Sequence, residues 1–137
     1  MQIESFDGEY RFLSNFYPVW VTLDGVSYPS VENAYQAAKF HPLHREDFKG
    51  CTAGQAKRYG KRPGKRMEWE AVKVDVMHRL LIQKFKQPHL RKLLLDTGDA
   101  VLIEGNTLGD TFWGVCKGVG DNRLGRLLMA VRDGNSI

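Results

Sequence analysis

What this 137-residue chain lacks narrows its reading before any motif is weighed. No uninterrupted apolar run approaches the roughly 18 residues that a membrane-crossing helix needs, so no spanning segment is expected. The N-terminal stretch MQIESFDGEY has neither a basic start nor an apolar core, and no secretory signal is read in it. There are only two cysteines, Cys51 and Cys116, far apart and outside any CxxC pattern. They are read as reduced thiols of a cytoplasmic protein rather than as a disulfide or a redox pair. Internal repeats, low-complexity tracts and linker-like composition are also missing, so one compact domain over residues 1–137 is expected. GxSxG, HExxH and the P-loop pattern do not occur, and His41 and His44 have no third ligand at a telling distance. Neither a metal nor another cofactor is expected.

What is present is an ordinary globular composition, 42% hydrophobic and 26% charged, with a net charge of +4. The positive excess is concentrated. GQAKRYGKRPGKR, residues 54 to 66, holds Lys57, Arg58, Lys61, Arg62, Lys65 and Arg66 with no acid among them. Such a run is either a solvated, glycine-broken loop or a track for phosphates.

A coarse pass along the chain places the motifs. EYRFLSNFY reads as a strand or extended segment. VWVTL and VSYP flank Asp24-Gly25, a strong signal for a type I′ hairpin turn. Ser30 can cap a helix that Pro42 stops, and a short helical piece is expected near residues 52 to 59. From Met67 to Phe85, Trp69, Val72, Val76 and Leu80 recur at helical spacing. Pro88 opens a further helix that Thr97-Gly98 ends; AVLIEG and TFWGV are strand candidates. Asp121 or Asn122 then caps LGRLLMAVR. Helices outweigh strands and the two are segregated, which gives an α+β, mainly helical class with a small β-sheet.

The helix after Ser30 carries the first candidate chemistry. At about 100° per residue, Glu32, Tyr35, Gln36 and Lys39 share one face while Ala34, Ala37 and Ala38 lie behind. That stripe is either solvated surface or the wall of a site. Lys39 would ordinarily be a cation completing the helix dipole; in a partly dry pocket its pKa would fall and the amine could act as a nucleophile. Glu32, Glu104 and Asp110 are carboxylates of the kind that cleave glycosidic bonds, one protonating the leaving group and another activating water or attacking. Gly114, Gly118 and Gly120 precede a capped helix and make either a turn or an anion cradle. Phe12, Phe16, Tyr17, Trp69 and Trp113 are core by default, although a nucleobase would need one or two as stacking walls.

FLSNFYP, YPSVENAYQAAKF, AKRYGKR, EWEAVKVDVM, LIEGN, DTFWGV and GDNRLGRLLMAVR, in this order and spacing, together resemble the NADAR (YbiA-like) family. The resemblance runs from about residue 6 to residue 132. It implies a small α+β domain linked to NAD and ADP-ribose metabolism, with N-glycosidase activity and no metal. Some members cleave phosphoribosylamino-pyrimidine intermediates of riboflavin synthesis; others remove ADP-ribose from guanine in nucleic acid. The family's polar signature falls on Ser14, Asn15 and Phe16, on Glu32, Gln36 and Lys39, and on Trp69, Lys73 and Met77. Near the C-terminus it falls on Asp110, Trp113, Gly114, Asn122 and Gly125. Many members read Glu-His where this chain has Glu32-Asn33, so proton transfer by that imidazole is unavailable here.

These expectations converge on an N-glycoside hydrolase with Lys39, Glu32 and Asp110 as catalytic groups. Substrate binding is assigned to Ser14, Asn15, Phe16, Tyr35, Gln36, Trp69, Trp113, Gly114 and Asn122. The basic run favours ADP-ribosylated guanine in nucleic acid over a nucleotide-like small molecule. A non-catalytic module that binds NAD, ADP-ribose or nucleic acid is the competing class.

Overall fold

The computed structural model describes residues 1–134. In chain order the elements are β1 (Gln2–Ile3), β2 (Pro18–Leu23), β3 (Val26–Ser30), α1 (Val31–Ala38), α2 (Ala53–Tyr59) and α3 (Trp69–Lys84). They continue with α4 (Pro88–Leu95), β4 (Val101–Leu102), β5 (Gly105–Asn106), β6 (Val115–Cys116) and α5 (Arg123–Arg132). The class is α+β and mainly helical, and the β component is three separate two-stranded pairs. Among the described residues no helix is long and apolar enough to cross a membrane.

The chain divides into two compact units: Asn15–Lys84, and a discontinuous one made of Met1–Ser14 with the chain from Phe85 onward. In the first, Asp24 and Gly25 both take positive φ, 49° and 79°, and close β2 on β3 with Leu23 opposite Val26. β3 feeds directly into α1, whose N-cap is Ser30; its hydroxyl accepts from Asn33 N at 3.0 Å, a cap whose removal costs about 1 kcal/mol. All eight residues of α1 are buried, because β2, β3, α2 and α3 pack around it. Ala34, Ala37 and Ala38 let these neighbours approach closely. α2 is opened by a capping box of Thr52 and Gln55.

The far end of α1 is held by two arginines. The carbonyls of Ala38 and Lys39 accept from Arg66 Nε (2.9 Å) and Arg66 N (2.8 Å), and Phe40 O accepts from Arg45 Nε (2.9 Å). These guanidiniums satisfy carbonyls that a helix end leaves over and oppose the negative end of its dipole.

In the second unit β1 pairs in parallel with β4, and β5 with β6. Pro88 stands in the first turn of α4, and Gly98 takes φ +61° after it. Ile3, Leu13, Leu90, Leu94, Leu102, Leu124 and Leu128 are buried here.

Three expectations are corrected. The stretch expected to be extended near residue 10 is a 3₁₀ helix, Gly8–Leu13, whose adjacent buried pair Phe12 and Leu13 suits a tight turn, not an alternating strand. TFWGV contributes only Val115 to strand pairing, as the first residue of Val115–Cys116, since Phe112 and Trp113 lie in a turn gathered around Asp110. Asn122 occupies the N-cap position of α5 but with φ +51° and no capping bond from its side chain. Its amide instead reaches Leu102 O (2.9 Å) and Glu104 N (3.0 Å).

Candidate active site

The stripe on α1 is not solvated surface. Glu32 and Gln36 are buried and Lys39 is half-buried. Gln36 Nε2 donates to Glu32 Oε2 at 2.6 Å, the i to i+4 contact that helix geometry provides. The Glu32 backbone N–H donates to Asn15 O at 3.0 Å, which brings the first signature residue to the start of the helix. Tyr35 packs on Trp69 with ring centroids 5.2 Å apart, and Lys39 Nζ stands 5.6 Å from the Tyr35 ring. Arg66 covers Trp69 at 5.8 Å. Asn15, Glu32, Tyr35, Gln36, Lys39 and Trp69 are thus part of one unit, grouped around α1.

Two features set this grouping apart from a solvated polar face. The first is that Gln36 Oε1 and Asn15 Oδ1 are buried with no hydrogen-bond partner. An unsatisfied buried acceptor costs about 1–3 kcal/mol, which a ligand's hydroxyl or N–H would recover. The second is Lys39. Its pKa is lowered from 10.5 to about 8, first by burial and then by the nearby charge of Lys65. Glu32 opposes the shift, Lys73 adds to it and Glu70 opposes it. Near pH 8 about half of such an amine is unprotonated, against well under one per cent of an ordinary lysine.

Asn33, next to Glu32, faces other partners. Its amide donates to Phe48 O (3.0 Å) and Cys51 O (2.9 Å), and its carbonyl accepts from the Ser30 hydroxyl (2.5 Å). Asn33 is a structural tie.

Ser14, Asp110, Trp113, Gly114 and Asn122 belong to the other unit. Asp110 Oδ1 accepts from Phe112 N (3.1 Å) and Trp113 N (2.9 Å), which draws the DTFWG turn together. A side chain on Gly114 would strike Glu104 O, and one on Gly125 would strike Leu102 O. Both glycines are close-approach positions. Phe16 is exposed and Trp113 half-buried, so either retains surface for stacking, whereas Phe12 and Trp69 are core.

Of the basic run, Arg62 pairs with Asp47 (2.9 Å) and lies over Tyr59, and Arg66 pairs with Glu68 (3.0 Å) while it holds α1. Lys57, Arg58, Lys61 and Lys65 make no ion pair among the described residues. A cavity of about 330 Å³ lies between the hairpin turn and α3, bordered by Asp24, Arg45, Arg66, Asp75 and Gln83. Neither Glu32 nor Lys39 lines it, and its arginines are committed to carbonyls and carboxylates. No group of three metal-ligating residues occurs among the described residues.

The NADAR domain model matches residues 3–134. The chain belongs to the NADAR family. Relatives agree with that placement. The N-glycosidase YbiA of Escherichia coli is 40% identical over 131 residues, covering 91% of this chain and 81% of that protein. A riboflavin biosynthesis protein of Vibrio vulnificus is 38% identical over 133 residues, covering 93% of this chain. The NADAR chain spans only 36% of that longer protein. The NMR structure of E. coli YbiA matches with a TM-score of 0.83 at 37% identity, over 98% of this chain and 83% of that one.

Local sequence reasoning reached the stripe and its lysine but not the roles of Arg45, Gly60 and Arg66 beside α1, whose partners lie up to 28 residues away in sequence. AKRYGKR, the motif that holds Gly60, was the available signal.

Proposed function

We propose that this NADAR-family N-glycosidase removes ADP-ribose from guanine bases in nucleic acid. The observation that carries the reading is Lys39: a half-buried amine with a pKa of about 8, on one stripe with a buried carboxylate and an orphaned acceptor.

In the proposed reaction the unprotonated Lys39 amine attacks the anomeric carbon of the ribose. The electron pair of the C–N bond leaves with the base, which takes up a proton. The ring oxygen then accepts a proton as the sugar opens to an iminium on Lys39. Water adds to that carbon, and the amine departs with free ADP-ribose as the product; one water is consumed overall. Glu32, buried and fixed by Gln36, steadies the cationic carbon and moves the protons. Gln36 Oε1 and Asn15 Oδ1 suit ribose hydroxyls. Asp110 enters the proposal through the family motif alone, as an acid whose Oδ1 also serves its own turn.

Lys57, Arg58, Lys61 and Lys65 support a polyanionic substrate. A second reading, cleavage of a phosphoribosylamino-pyrimidine, is favoured by the riboflavin biosynthesis name of the Vibrio relative. The two are separated by incubating the protein with an oligonucleotide carrying ADP-ribosyl-guanine and, in parallel, with the small pyrimidine. Free ADP-ribose with intact guanine, at a rate that falls steeply with salt, supports the first reading. Ribose 5-phosphate from the small substrate alone supports the second. Binding of ADP-ribose without cleavage of either would make the protein a reader and overturn the enzymatic proposal.

A further inference from the structure

Gly60 ends α2 with φ −63° and ψ −11°, an ordinary right-handed conformation that any residue adopts. The backbone therefore does not require glycine there, and alanine would favour the helix. The reason for the glycine lies across the gap to α1. A Cβ on Gly60 would fall on Gln36 Oε1, would lie 2.6 Å from Gln36 Cδ, and would come within 3.3 Å of Lys39 Nζ. Gln36 could make room only by swinging its amide, yet that amide is buried and tied to Glu32 at 2.6 Å. The missing side chain is what allows the carbonyl of Gln36 and the amine of Lys39 to crowd one point.

We infer that Gly60 is a positioning residue: its bare Cα seats the Gln36 amide between the Glu32 carboxylate and the Lys39 amine. The seat sets two properties at once. It holds Glu32 in one orientation through Gln36 Nε2, and it presents the negative end of the amide dipole toward Lys39. The other charges that bear on Lys39 are Glu32 from α1, Lys65 from the loop after α2, and Glu70 and Lys73 from α3. Gln36 is the neutral group among them, so its effect on the amine depends on where its oxygen points.

The inference rests on Lys39 as the amine of the proposed reaction, and its test separates the two. Lys39 reactivity is measured without substrate, by mass-spectrometric quantification of reductive labelling with formaldehyde and cyanoborohydride across a pH series. The wild-type midpoint is expected near the native value of about 8. In Gly60→Ala the methyl displaces the amide oxygen and further dehydrates the amine. Both effects favour the neutral form, so the midpoint falls. Gln36→Ala lowers it as well, and the two shifts are less than additive in the double variant, because the amide that Gly60→Ala displaces is then already gone. Turnover of the cleaved N-glycoside falls about tenfold in Gly60→Ala, in kcat more than in KM.

Additive shifts, or an unmoved midpoint in Gly60→Ala, would overturn the positioning role. Should Gly60→Ala not fold, an unmoved midpoint in Gln36→Ala would overturn it alone, and a lowered one would support it. A coupled labelling cycle in a protein that cleaves neither substrate would leave the seat standing and remove the glycosidase reading.

Discussion

The polar residues around α1 and those between Glu104 and Asn122 both carry family motifs, yet they are wired in opposite ways. In the second group Asn106 Oδ1 accepts from Leu108 N and Asp110 N, and its Nδ2 donates to Asp110 O. Asn122 ties Leu102 O to Glu104 N, and Asp110 gathers two N–H groups. These amides and this carboxylate fold their own loop. Around α1, by contrast, Gln36 Oε1 and Asn15 Oδ1 are buried with nothing to accept, and the neighbouring amine is held far from its ordinary pKa. The first pattern is that of a scaffold; the second leaves buried acceptors open to a ligand's donors, and the proposed function uses them so. Asn33 makes the point within a single helix turn, because it sits beside Glu32 and is scaffold throughout.

The widest break in this comparison comes from Lys39. Lys39→Arg, which keeps a cation and loses the nucleophile, is expected to lower kcat by about a thousandfold or more with the melting temperature little changed. Near-normal turnover in that variant would make the lysine a positioning group. Wild-type kcat/KM should rise with pH and level off above about 8, as Lys39 loses its proton.

Glu32→Gln comes next, with an expected fall of about a hundredfold in kcat and retained folding. Asp110→Asn sharpens the contrast, since it keeps an oxygen for the turn and removes the charge. About a tenfold loss of turnover at unchanged stability is expected; a loss of stability instead would make Asp110 scaffold only.

Asn106→Ala and Asn33→Ala should do the reverse. Each removes side-chain ties to backbone N–H or C=O groups, buried at Asn33 and part-buried at Asn106, and is expected to cost about 1–3 kcal/mol in urea unfolding, with near-normal turnover per folded molecule.

A separate effect, on stability alone, is expected in its pH dependence. Lys39 and the fully buried Lys84 have native pKa values of about 8 and about 7, below the ordinary 10.5. Below those values both amines are charged in the native and unfolded chains, and their burial opposes folding. Above 10.5 both are neutral in either state and the penalty is gone. Stability contributed by these groups should therefore rise from about pH 7 to about 10.5 and fall again on acidification through that window. Lys84→Met should flatten the lower part of that rise in urea unfolding.

How much of this was readable beforehand follows from the range of the interactions. Ser30 as a cap, Asp24-Gly25 as a turn and the grouping of Glu32, Gln36 and Lys39 are set by residues within a few positions of each other. The fall in the Lys39 pKa was conditional on a dry setting, and the burial of α1 on every side supplies it. That burial depends on β2, β3, α2 and α3 arriving from elsewhere in the chain, and no local pattern encodes it. The 3₁₀ turn at Gly8–Leu13 was missed because Phe12 and Leu13 are buried side by side, a pairing that a strand reading does not anticipate. Arg66 fell in a run read as either a solvated loop or a phosphate track, but its guanidinium is engaged with Ala38 O, 28 residues back. Charge alone could not reveal that.

The most direct test of the account is borohydride trapping during turnover, followed by peptide mapping. If Lys39 forms the transient iminium, reduction in the presence of a cleavable N-glycoside leaves the sugar covalently on the peptide that contains Lys39, and activity is lost in proportion. Full turnover with no adduct, or an adduct confined to other lysines, would contradict it.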